Sequence, residues 1–288
     1  PANANPIQFV LVATESLDAL TVATADFTAT GGTIGTISCA VDTCTIPVTA
    51  SGQGSVSIAP AAGFSVADVA GNAVAVTVAD VTGGMAIQSG SSDRTVTYDT
   101  VTPTVTLQQA VGQADPTNGA SIQFTLTSNE AINALTVAPG DFTVTNGSAV
   151  TVSGSGTTFT LTTTASGQGT VSIAPSGTFG VSDTAGNQTT SAGGSDRSVS
   201  YDSIAPTLTL AQAAGQSDPT NTSSIQFTLT SSETLAAGTV TPADFTVTNG
   251  SAVTVTGSGT TFTLTTTASG QGDVVIAPSG SFAISDSA

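Results

Sequence analysis

Residues Ser121 to Ser128 read "SIQFTLTS", and the alternation within them decides the fold. In an extended chain Ile122, Phe124 and Leu126 project to one side, while Gln123, Thr125 and Thr127 project to the other. This is the period-2 pattern of a strand with one buried and one wet face. "TTFTLTT" at Thr157 to Thr163 repeats it with Phe159 and Leu161. Outward from these two stretches, seven runs with strand character are separated by Gly, Asn, Ser and Pro turn signals. They are Thr104 to Ala110, Ser121 to Ser128, Asp141 to Thr145, Ala149 to Ser153, Thr157 to Thr164, Thr170 to Ala174 and Arg197 to Tyr201. Seven alternating strands in about 100 residues predict a two-sheet sandwich of immunoglobulin type, without the Cys and Trp hallmarks of antibody domains.

The same stretch recurs. "IQF" begins at Ile7, Ile122 and Ile225, "DFT" at Asp26, Asp141 and Asp244, and "ASGQG" at Ala50, Ala165 and Ala268. Each series gives the same two offsets, so the chain is a threefold repeat. The first copy carries extra residues around "VTVADVTGGMAIQ", an enlarged loop over Ala73 to Ser92. The copies meet at "YDTVTP" (Tyr98 to Pro103) and "YDSIAP" (Tyr201 to Pro206), where Pro and a short polar run mark junctions. The expected units are 1–99, 100–202 and 203–288. The first lacks a counterpart of Thr104 to Ala110, and the third lacks a counterpart of Arg197 to Tyr201. Two expectations follow: a window cut from a longer array, or a fibre subunit whose end units complete one another head to tail by strand addition.

The order of "YD-x-x-x-P-T", "IQFTLT-S-x-E", "DFTVTNGS", "TTFTLTTTASGQG" and "SDTAGN" resembles the bacterial Ig-like repeats strung in tandem in large secreted adhesins and surface proteins. The resemblance covers essentially the whole chain. It implies an all-β fold of tandem immunoglobulin-like β-sandwich domains in an elongated array, at the cell surface or secreted, often stiffened by calcium. Partners would be neighbouring repeats or identical subunits, together with glycans or proteins of a host or surface. A binding role would fall to the loop Ala73 to Ser92.

Composition narrows function further. The 288 residues hold 19 Asp plus Glu against 2 Arg, with no His and no Trp, for a net charge of -17. Such a surface repels nucleic acid and anionic membranes and favours cations. No apolar run reaches the roughly 18 residues that span a bilayer. Without His or Lys there is no Ser-His-Asp or Cys-His arrangement and no Schiff-base Lys. The carboxylates recur copy by copy, which fits structure rather than a single active site, so no enzyme is expected.

The only cysteines, Cys39 and Cys44, flank a predicted hairpin turn in "SCAVDTC". A local disulfide there would close a short loop, contribute roughly 2 kcal/mol and agree with an oxidising, extracellular location. Arg94 and Arg197 each follow an Asp at the start of a final strand, where a local salt bridge is expected.

The carboxylates themselves suggest a site. In this topology the chain enters a sandwich at one pole, and the loops after its second and sixth strands return there. The linker brings Asp99, the first loop Glu130 and "SDTAGN" Asp183, with Asp141 a plausible fourth. The third copy would assemble Asp202, Glu233, Asp286 and Asp244, and the first keeps Glu15, Asp26 and Asp68 without a linker. Carboxylates so placed repel one another unless a cation sits among them, and hard oxygen donors suit Ca²⁺. Such an ion would tie linker to loops and hold adjacent domains at a fixed angle.

Overall fold

The computed structural model describes residues 1–73 and 94–288. The enlarged loop Ala73 to Ser92 therefore lies, but for Ala73, outside the described residues, and so does Asp93 beside Arg94. The chain is all-β, with antiparallel sheets and, among the described residues, four single-turn 3₁₀ segments.

In the middle repeat the strand Ser121–Ile132 sits between Val105–Gln109 and Thr151–Thr164, and the short strand Ala192–Gly193 adds to the outer edge of Val105–Gln109 in parallel. A second sheet orders Phe142–Thr145, Gly169–Pro175 and Ser198–Tyr201. The alternation read from the sequence sets the register. Phe124 stands opposite Leu161 and Leu126 opposite Phe159, so the apolar set of each strand meets that of its neighbour on one face. Across from them Phe142, Val171, Ile173 and Val199 of the second sheet close a single core. The two sheets thus form a sandwich, with Phe124, Leu107 and Leu161 at zero exposure.

The outer copies repeat this plan. In the first, Ile7–Val12, Thr43–Ala50 and Gly32–Ile34 oppose Phe27–Thr30, Gly54–Pro60 and Thr95–Tyr98. In the third, Leu208–Gln212, Ser224–Ser231, Thr261–Thr267 and Thr254–Ser258 oppose Phe245–Thr248 and Val275–Pro278. Among the described residues three core clusters result, drawn from residues 2–98, 105–201 and 208–284. An edge-to-face phenylalanine pair recurs in each: Phe27 with Phe64, Phe142 with Phe179 and Phe245 with Phe282, at centroid distances of 5.7, 5.8 and 6.1 Å.

Three details depart from the sequence reading. The expected strands Ala149 to Ser153 and Thr157 to Thr164 form one run, Thr151–Thr164, because Ser121–Ile132 extends past Ser128 and its last residue pairs with Gly156. Three two-residue strands, Val181–Ser182, Gln188–Thr189 and Ala192–Gly193, are too short to show a period. Arg197 does not turn to Asp196. Its guanidinium donates to the carbonyls of Ala192, Gly193 and Leu107 at 2.6, 2.7 and 3.3 Å, pinning the short parallel strand to the sheet edge.

Cys39 in Ser38–Ala40 faces Cys44 in Thr43–Ala50 and is joined to it by a disulfide, in accord with the expected local bridge. Because Phe124 fills the centre of the middle core with no exposed surface, Phe124→Ala should cost that repeat about 3–5 kcal/mol, read as an early urea transition of the full chain. A loss below about 1 kcal/mol would contradict the packing described.

Candidate metal centre at the repeat junctions

Each "D-x-A-G-N" turn builds its own anchor. Asp183 Oδ1 accepts the backbone N–H of Ala185 and of Asn187 at 2.7 and 2.9 Å, and Oδ2 accepts the Asn187 side-chain amide at 2.8 Å. Gly186 adopts a φ of 94°, which closes the turn and favours glycine. Asp68 makes the same three bonds with Ala70 and Asn72, each at 2.8 Å. The first reason this motif recurs is therefore local: an aspartate satisfies the N–H groups of its own turn.

The Asp183 turn is held against the end of the strand Ser121–Ile132, which carries Glu130 where the sequence reading expected a loop. Ile132 bridges to Asp183, and Asn133 N–H donates to Ser182 C=O at 2.9 Å. Glu130 N–H in turn donates to Ser128 Oγ at 3.3 Å, and Glu233 N–H to Ser231 Oγ at 3.3 Å. The linker supplies the third group, because the backbone of Asp99 runs directly on from the last strand of the first repeat and delivers its carboxylate to the pole of the second.

The outcome is two junction clusters. Carboxylate oxygens of Asp99, Glu130 and Asp183 lie within 4.8 Å of one another, and so do those of Asp202, Glu233 and Asp286. Asp183 is buried and the other five are half-buried. Glu130 Oε1 is buried without a hydrogen-bond partner. An acceptor left bare in this way is costly, and a cation or a proton at that oxygen would relieve the cost.

The proposed fourth ligands lie elsewhere. Asp141 Oδ2 accepts the Ala138 N–H at 2.7 Å, Asp244 Oδ2 accepts the Thr241 N–H and hydroxyl at 2.7 Å, and Asp26 Oδ2 accepts the Ala23 N–H at 2.8 Å. Each closes the 3₁₀ turn that precedes its Phe. Asp26 Oδ1 also accepts the Ser65 N–H at 3.1 Å. They are turn caps and belong to neither carboxylate cluster. In the first repeat Glu15 is exposed and Asp68 buried, and neither belongs to a group of three carboxylates among the described residues.

The electrostatics follow from this geometry. Burial, and then the charges of Asp99 and Asp183, push the Glu130 carboxyl above the usual glutamate range. Burial also raises Glu233, followed by the charges of Asp202 and Asp286 and a hydrogen bond with Asp202. Burial acts to raise Asp183 too. There the Asn187 amide and the N–H groups of Asn187, Ala185 and Gly186 outweigh it and hold the carboxyl below its usual range. Asp68 is likewise held low, first by the Asn72 side chain.

The residues fit a hard cation, because the donors are oxygens alone, three carboxylates converge, and one buried oxygen lacks a partner. They would hold an ion by charge neutralisation and supply structure rather than reaction chemistry. Sequence reasoning missed the amides that tie the linker down. Gln53 Nε2 donates to Thr100 Oγ1 at 2.7 Å and its Oε1 accepts the Thr100 N–H at 3.1 Å. Gln168 Oε1 accepts the Ser203 N–H at 3.0 Å, and Asn187 Nδ2 donates to Asp99 C=O at 2.9 Å. Their only sequence signal was recurrence within "ASGQG" and "AGN".

No protein-family model matches the chain, and no curated protein matches it closely enough to count as a relative.

A pH dependence follows for the metal-free chain. A glutamate whose folded pKa is raised contributes full stability below its unfolded pKa and loses it as pH rises through the folded one. Asp183 and Asp68, held low, act oppositely and are lost only as pH falls below about 4. In chelator the melting temperature should therefore rise as pH falls from about 7 to about 5, and a Glu130→Gln, Glu233→Gln double variant should rise less. Identical curves for the two chains would contradict this assignment.

Proposed function

We propose that the chain is a structural segment of a bacterial adhesin or surface fibre. In this reading residues 1–99, 100–202 and 203–288 are immunoglobulin-like sandwiches in tandem, forming an extracellular stalk or spacer whose junctions are braced by calcium. The observation that carries it is the recurrence of one carboxylate triad at two successive junctions, with a bare buried oxygen on Glu130 in the first. A cluster that draws one member from each linker serves the connection between repeats, whereas a site for an external ligand gains nothing from that placement. The Cys39–Cys44 disulfide supports an oxidising compartment, and no helix is long and apolar enough to cross a membrane. The reading is non-catalytic, since the chain holds neither His nor Lys and its acidic groups serve turns and junctions.

Calorimetric titration tests it. Two calcium ions should bind per chain. At about 100 times the dissociation constant each filled junction should gain about 2.7 kcal/mol, seen as a higher melting temperature. The Glu130→Gln, Glu233→Gln double variant should bind far more weakly. A wild-type chain with the same melting temperature in calcium and in chelator would overturn the proposal.

A further inference from the structure

Four of the five N–H groups in each linker, 99–104 and 202–207, are bonded to protein, and their partners pass from the preceding repeat to the following one. At the first junction Asp99 N–H donates to Ala2 C=O at 2.9 Å, within the first repeat. Thr100 N–H donates to Gln53 Oε1, again in the first repeat. Val101 N–H donates to the carboxylate of Asp99 at 3.0 Å, and Pro103 has no N–H. Thr104 N–H then donates to Asn129 Oδ1 at 2.7 Å, while Asn129 N–H donates back to Thr104 C=O at 3.2 Å, both within the second repeat. The Asp99 carbonyl accepts from Asn187, also of the second repeat. One residue, Asp99, is thus bonded through its N–H to one sandwich and through its C=O to the next.

The second junction repeats the N–H pattern. Asp202 N–H donates to Thr117 C=O at 2.9 Å, Ser203 N–H to Gln168 Oε1, and Ile204 N–H to Asp202 Oδ1 at 3.1 Å. Pro206 has no N–H, and Thr207 N–H donates to Ser232 Oγ at 2.9 Å. Gln168 Nε2 also donates to Asp202 Oδ1 at 2.9 Å, so the same amide that holds the linker backbone orients the junction carboxylate.

A flexible connector leaves its backbone groups to water. These connectors bond most of their N–H groups to protein, and the same residue type does the holding at both. We infer that Gln53 and Gln168 are linker clamps: they fix the path between successive repeats with no metal bound, and so place Asp99 and Asp202 in their carboxylate clusters beforehand. Both glutamines are exposed side chains outside the cores, so their removal leaves each sandwich intact.

The inference rests on main-chain bonds and stands apart from the calcium reading, which the experiment keeps separate. Amide hydrogen exchange of the full chain is followed by NMR in chelator, for wild type, Gln53→Ala, Gln168→Ala and a control, Gln108→Ala, on the outer face of a strand. The Thr100 amide should exchange about tenfold faster in Gln53→Ala, and the Ser203 amide about tenfold faster in Gln168→Ala, each with the other junction unchanged. The control should match wild type at both. Equal Thr100 and Ser203 rates in wild type and clamp variants would overturn the inference, whether or not calcium binds. Protected amides in a chain that binds no calcium would uphold the clamps and defeat the cation reading.

Discussion

Asp99 is where the organisation of this molecule is decided. Its N–H belongs to one sandwich, its C=O is taken by the next, and its carboxylate enters a cluster with Glu130 and Asp183. Asp202 begins the second linker with the same N–H bond to the repeat before it and the same carboxylate cluster at the next. A residue bonded on both sides of a junction gives the two sandwiches it joins a preferred geometry. Everything else in the repeat has the simpler task of building a sandwich and bringing its acidic residues to the right pole.

The construction has an electrostatic cost. Three carboxylates whose oxygens lie within 4.8 Å, one buried and two half-buried, repel one another more strongly than exposed groups do, because solvent screens them less. The turn around Asp183 offsets its own share through N–H donors, which is why that carboxyl is held low. Glu130 has no such donors on Oε1, and the cost collects there. A proton relieves it at low pH and a divalent cation would relieve it near neutrality. In that account the hydrogen bonds define the linker path, and the cation stabilises a junction already formed.

Much of this was legible in the sequence, for reasons specific to β structure. A strand with one wet face writes its burial into every second residue, so "SIQFTLTS" and "TTFTLTT" gave both the strands and their facing sides. Threefold recurrence then located the junctions, and sandwich topology was enough to bring Glu130 and Asp183 to the linker. What failed was what depended on one bond rather than on a pattern. Asp141, Asp244 and Asp26 share the pole's acidity but precede a Phe in a tight turn, and the turn takes their oxygens. Arg197 sits next to Asp196 yet reaches three carbonyls, because the short strand Ala192–Gly193 that offers two of them is invisible to periodicity. Gln53, Gln168 and Asn187 act through backbone atoms of the linker, and a neutral amide in a Gly-rich turn gives no hint of its partner.

The central claim is that a cation belongs among the junction carboxylates. Anomalous diffraction from crystals grown in calcium tests it most directly. The account predicts one peak at each junction, with oxygens of Asp99, Glu130 and Asp183, and of Asp202, Glu233 and Asp286, at about 2.3–2.6 Å from it. No anomalous peak at either cluster, with Glu130 Oε1 bonded to water or to a shared proton instead, would contradict it.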